Sequence, residues 1–202
     1  MGTDISGFIE CRWDRWLDED DRQWHAAVDI MHLYNGRSYR AFGALFGMRN
    51  DAFRPLAPYR DLPPDASKET RAHFEDWGYG QSWITWAELS AADWDEPALE
   101  PNDGIHEHRR NSMGHWELYN DNISLDRFAE LSSSTDPHAL YEASRGYPEG
   151  TEWHDGDVLF RTGRLRRKDA VLENEWEPIW SVMRTLAAIH GDEAVRLVVC
   201  FG

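Results

Sequence analysis

Hydrophobic and polar positions alternate from Asp4 to Trp13, with Ile5, Gly7, Ile9, Cys11 and Trp13 on one side and Ser6, Phe8, Glu10 and Arg12 on the other. That period of two predicts a strand with one buried face. Trp24 to Leu33 begins the same way, and the acidic run Asp18 to Asp21 between them reads as a solvated connection, so an antiparallel pair is expected. Asn35-Gly36 marks a tight turn. The pattern then changes period. Tyr39, Phe42 and Leu45 or Phe46 fall at helical spacing behind Ser38, an N-cap residue, and ahead of Gly47, a C-terminal stop.

The prolines from Pro55 to Pro64 hold an extended segment, and a second helix is predicted from Asp65 or Ser67 to Asp76, ended by Gly78. Trp83 and Ile84 read as the end of a short extended piece. Thr85-x-x-Glu88 is a capping box that opens a helix to about Ala92. From about 95 to 151 few periodic stretches occur, and this part is expected to be a loop-rich insertion covering one end of the sheet. Within it Ser124 can cap a short helix through Leu131, and Asp136-Pro137 can start another of a turn or two up to Ala143. Val158 to Phe160 reads as a strand. Trp176, Ile179, Trp180, Met183, Leu186 and Ala187 recur at three and four residues, giving a helix with Pro178 in its first turn and Gly191 at its end. Ala194 to Phe201 is almost entirely apolar and predicts a strand buried on both faces.

These elements make a single α+β domain over residues 1–202, with a mostly antiparallel sheet and helices packed mainly on one face. A chain of 202 residues can bury a core without a metal or disulfide. Cys11 and Cys200, the only cysteines, read as small buried hydrophobes. No run approaches the length of a membrane span and no signal-peptide pattern opens the chain, which points to the cytoplasm. The 37 acidic and 21 basic residues give a net charge of -16 and disfavour direct DNA binding. A protein partner, or a small polar or cationic ligand, suits that surface better.

Several constellations are candidates for chemistry. His106-Glu107-His108 has the spacing that points two imidazoles to one side of a strand, as a divalent metal requires, and His115 is near enough to join; a solvated loop explains the same residues without a metal. His154-Asp155-Gly156-Asp157 offers nitrogen and oxygen ligands, or simply a turn. Arg161, Arg164, Arg166, Arg167 and Lys168 concentrate five cations, with Arg164, Arg166 and Arg167 as the anion-binding candidates against a solvated hairpin. Trp77, Tyr79, Trp83, Trp86 and Trp94 can wall an aromatic groove oriented by Asp76, Gln81 and Glu88, or be core. Asp4, His154 and Asp157 are the catalytic candidates, although no complete catalytic set is present and whether the protein is an enzyme stays open.

The segments Asp4-Ile5-x-Gly7-Phe8-Ile9-Glu10, Phe42-x-x-Leu45-Phe46-Gly47-x-Arg49-Asn50, Leu62-Pro63-x-Asp65-x-Ser67, Ser82-Trp83-Ile84-Thr85-x-x-Glu88-Leu89 and Val195 to Val199 together resemble a family of small bacteriophage and prophage proteins. Its members begin with a GCDIH-like motif and end in a strand reading like RLVFWFDN. They carry histidine at the position of Ser6, a His-Ser-His-like run at Gly80-Gln81-Ser82 and an Asp-Asn pair after the last strand, so of that polar set only Asp4 is kept. The resemblance implies a phage-type or mobile-element accessory protein that binds a partner or small polar ligand. A metal-assisted hydrolase with an Asp/His site, and an acidic nucleic-acid mimic, are the alternatives.

Overall fold

The computed structural model describes residues 2–13, 23–49, 51–76, 79–99, 105–120, 123–132 and 147–202. The fold is α+β, built on two four-stranded sheets in which every pairing is antiparallel. Two compact units form, one from residues 1–93 with 175–202 and one from 94–174. No described helix is long and apolar enough to cross a membrane.

In the first unit β1 (Ile5–Cys11), β2 (His25–Asp29), β3 (Tyr79–Thr85) and β8 (Val195–Phe201) make a sheet of order β2-β1-β8-β3. β8 is central and buried along its whole length, as its apolar run requires. β1 pairs with it from Ile5↔Phe201 to Cys11↔Val195. At Gly7 the backbone has φ 146, and a Cβ there would stand 2.0 Å from the Val198 carbonyl oxygen, so only glycine fits. The same ladder explains the cysteines. Cys11 faces Val195 and Cys200 faces Ser6, at opposite ends of the pairing, and both are free and buried.

Helix α1 (Tyr39–Phe46) begins where the Ser38 hydroxyl accepts from the Ala41 N–H at 3.3 Å and ends at Gly47, φ 74. Ser67 caps α2 (Lys68–Asp76) through the Thr70 N–H, and the Thr85/Glu88 capping box opens α3 (Trp86–Ala91). Helices gather mainly on the face of Ile5, Ile9 and Phe201. There Phe201 meets Phe42 at 5.3 Å, Phe42 meets Tyr34, and Tyr34 meets Trp176 of the C-terminal helix at 4.6 Å. α2 is on the other face, where Phe74 packs with Val198 and Cys200.

Two expectations change in detail. The second strand stops at Asp29, because its carboxylate accepts the Met31 N–H at 2.9 Å and starts a single 3₁₀ turn, Ile30–His32. The C-terminal helix, the sixth α-helix, runs Glu173–His190, so Pro178 lies inside it and not in its first turn. The missing N–H would have bonded the carbonyl of Asn174, close to the helix start, where one bond fewer is tolerated.

Glu10, on the side of β1 expected to be polar, is fully buried. Its direct cross-strand partner is Arg196, whose Nε donates to Glu10 Oε2 at 2.8 Å while Nη1 donates to Asp65 Oδ1 at 2.8 Å. Glu10 Oε1 accepts from the Ser67 N–H and the Thr70 hydroxyl, and Trp24 Nε1 donates to Asp65 Oδ2. The Arg196 guanidinium stands 3.8 Å from the Trp24 ring centroid and 5.7 Å from that of Trp83. Arg12 covers Trp24 at 4.6 Å and Arg60 covers Trp83 at 5.1 Å. Five side chains thus alternate, cation against ring.

In the second unit β4 (Ile105–Arg110), β5 (Trp116–Asn120), β6 (Glu152–Asp155) and β7 (Val158–Thr162) make a sheet of order β5-β4-β7-β6. Two of these strands, and α4 (Leu125–Ser132) behind its Ser124 cap, lie in the stretch that reads as loop-rich. Ile105 and Phe160 face a small core with Ile123, Ala129, Leu131 and Trp153. The helix expected from Asp136 to Ala143, the acidic run 18–21 and Gly78 lie outside the described residues.

Replacing Arg196 with methionine leaves the Glu10 carboxylate buried without its countercharge. Urea unfolding is expected to show a loss of about 3–5 kcal/mol, against less than about 1 kcal/mol for Arg12→Ala at the outer end of the stack. Equal losses would mean that the buried pair has no special weight.

Candidate anion-binding pocket

The site grows from the register of the second sheet. β4 pairs with β7 so that His106 faces Arg161 and His108 faces Leu159, and β6 continues the first row with Glu152 opposite Arg161. Directly paired residues share a face. The H-x-H spacing therefore puts both imidazoles on one side, with ring centroids 6.2 Å apart, while Glu107 turns to the other side and pairs with Arg109. His106 and His108 are 3% and 6% exposed.

Beyond β7 and a bend at Gly163, burial alternates: Leu165 and Arg167 are buried, and Arg164, Arg166 and Lys168 are exposed. The Leu165 carbonyl accepts the Ala98 N–H at 2.8 Å, and Arg166 bridges to Pro97, which fixes this strip before the short helix α5 (Arg167–Ala170). Between strip and sheet lies a cavity of about 400 Å³. His106, His108 and Arg161 form part of its lining, with Arg164, Arg166 and Lys168 from the strip; Glu149, Glu152 and Asp169 contribute the carboxylates.

The charges in this cavity are unequally compensated. Arg161 is ion-paired to Glu152 at 2.6 Å and Lys168 to Asp95 at 2.5 Å. Asp169 Oδ2 accepts the Arg166 N–H at 2.7 Å, and Arg166 Nη1 donates to the Asp95 carbonyl. No carboxylate among the described residues is ion-paired to the Arg164 or Arg166 guanidinium. His108 Nδ1 is buried without a hydrogen-bond partner. Burial holds the His108 pKa below the usual value and Arg161 adds to the shift, against Asp169 and the carbonyls of His106 and Leu159. The imidazole is therefore neutral near pH 7.

The structure brings together two motifs that the sequence presents separately, the histidine pair and the basic run. Arg167 is not part of the pocket; it is 1% exposed and ion-paired to Glu96. His115 stands exposed in the β4–β5 connection, 3.3 Å from Glu173. His154 is exposed on β6, and Gly156-Asp157 form the two-residue turn to β7, with Gly156 at φ 58. Asp4 is ion-paired to Arg37 at 2.6 Å. Among the described residues no three His, Cys, Asp or Glu side chains meet as a metal-holding group.

Among the candidate aromatic residues, Trp83 and Trp86 lie against the protein's own cations. Trp83 is sandwiched by Arg60 and Arg196, and Arg184 lies over Trp86 at 5.8 Å. Glu88 is occupied by Thr85 and Arg60: burial raises its pKa, but those bonds hold it below the usual value. Tyr79 is exposed, its hydroxyl near Thr3 and Arg49, and Gln81 is half-buried. Asp76 ends α2, and Trp77 lies outside the described residues. Ser6 hydrogen-bonds His73 Nε2 at 3.0 Å, and Ser82 donates to the Ala57 carbonyl, which ties down the proline-rich loop. The chain matches no protein-family model, no curated protein and no solved structure.

Glu152, and the position of Arg161 beside His106, carry no signal in the sequence, because only the strand register sets them together. Since His108 is held neutral in the folded state, the unfolded chain binds the proton first as pH falls below about 6.5. Stability should therefore decline from pH 7.5 to about 5.5, and thermal melts of His108→Leu should decline less steeply over that range. Identical slopes would mean that His108 is not held neutral.

Proposed function

We propose that this protein binds a small, negatively charged polar ligand in the pocket of its second unit. The observation that carries the reading is the pair of neighbouring guanidiniums, Arg164 and Arg166, neither of them ion-paired directly to a carboxylate of the described residues, at the edge of a cavity that also holds Arg161 and Lys168. Guanidinium N–H groups that are not held in direct ion pairs remain available to donate charge-assisted hydrogen bonds to an anion. Glu152 is held by Arg161, and Asp169 and Glu149 each accept a backbone N–H, of Arg166 and Arg164, so the pocket's carboxylates act as structural partners. The arrangement is suited to holding a ligand more than to transforming one. Such a role fits an accessory protein of a phage or mobile element, as the sequence resemblance implies.

Isothermal titration calorimetry with small anions at low salt tests this. Binding should weaken as salt is raised, and Arg164→Ala/Arg166→Ala should lower affinity about tenfold or more for the loss of charge-assisted hydrogen bonds. If no small anion binds at millimolar concentration, or the double variant binds as well as the parent chain, the reading fails.

A further inference from the structure

Resting on the anion-binding reading, we infer that the ligand is a phosphate monoester of a small hydroxylated molecule. Arg164 and Arg166 are two residues apart on an extended strip, exposed on the same side, with buried Leu165 between them. Two guanidiniums side by side, neither in a direct ion pair, match one compact group that presents several acceptor oxygens on a single centre. A phosphate monoester carries about -1.5 to -2 near pH 7 and presents three acceptor oxygens to which the planar forks can bond in pairs. A monocarboxylate offers only two acceptor oxygens to the pair, and a dicarboxylate spreads its oxygens over two centres.

The interior of the cavity asks for something different. His108 is buried beneath the rim, its Nδ1 has no partner in the protein, and it shares its face of the sheet with His106. An unpartnered buried polar atom costs free energy until a ligand supplies its partner. That partner is a neutral hydrogen-bonding group, because a second charge there would need further compensation. The cavity of about 400 Å³ is larger than inorganic phosphate needs, and leaves room for a hydroxylated body reaching inward from the rim. Glu149, Glu152 and Asp169 set the upper limit on charge. A diphosphate or triphosphate would bring additional negative charge against these carboxylates, so the site selects the monoester.

The test is calorimetric titration of the full chain with ribose 5-phosphate, inorganic phosphate and succinate at low salt. Ribose 5-phosphate should bind about tenfold tighter than either of the others, the value of one satisfied buried hydrogen bond. His108→Leu should reduce ribose 5-phosphate to the affinity of inorganic phosphate while leaving inorganic phosphate unchanged, with a thermal melt confirming that the variant folds. The comparison of the three probes on the unmodified protein stands whether or not the variant folds. Equal binding of succinate and ribose 5-phosphate overturns the phosphate-ester inference and leaves the anion-binding reading intact. Absence of binding by all three overturns both.

Discussion

The first unit depends on one buried ion pair. Glu10 and Arg196 are direct partners across the two strands at the centre of the sheet, 0% and 3% exposed. Removing two charges from water is costly, and their attraction offsets that only when the remaining hydrogen-bonding positions are filled. Here Ser67 and Thr70 bond Glu10, and Asp65, itself held by Trp24, accepts from Arg196, so the proline-rich loop and the start of α2 are tied to the pair. The pair also specifies register. A slip of one residue between β1 and β8 would move Arg196 to the face of Phe42, Phe46 and Phe201, away from Glu10 and Asp65.

That requirement also accounts for the tryptophans. Trp24 and Trp83 flank the Arg196 guanidinium, exclude water from it, and are themselves covered by Arg12 and Arg60. A desolvated cation over an aromatic face is worth more than the same contact in water. Of the aromatic residues that the sequence groups as a candidate groove, Trp83 and Trp86 lie against the protein's own cations. The second unit treats its charges differently: Arg161 and Lys168 have carboxylate partners, while Arg164 and Arg166 do not. The contrast is between a network completed internally and one left incomplete at a cavity.

Elements with local signals were legible in the sequence. Ser38 and Gly47 bracket α1, Thr85 and Glu88 open α3, and the apolar run of β8 gives a central strand, because each signal lies within a few residues of the structure it makes. β4 was not legible as a strand. Its buried positions include His106 and His108, so no apolar alternation marks it. Pro178 lies deeper in its helix than the apolar spacing indicates, since the helix begins with the polar Glu173 and Asn174. The histidine pair and the basic run were each visible, but their convergence was not. It follows from the pairing of His106 with Arg161, a relation between distant residues that no local pattern encodes.

The buried arginine and the uncompensated pair also differ in the kind of selectivity they permit. Arg196 is enclosed by rings and carboxylates and can exchange partners only if the fold opens, so its charge contributes to conformational specificity. Arg164 and Arg166 are exposed at a rim, yet their strip is fixed by the Leu165–Ala98 hydrogen bond and the Arg166–Pro97 bridge. Side chains on a fixed backbone lose less entropy on binding than side chains on a free loop. The surrounding negative charge adds discrimination, because it repels extended polyanions while a compact anion can still reach the two guanidiniums at close range. The proposed anion site would in this way be compatible with a net charge of -16 that disfavours general binding of nucleic acid.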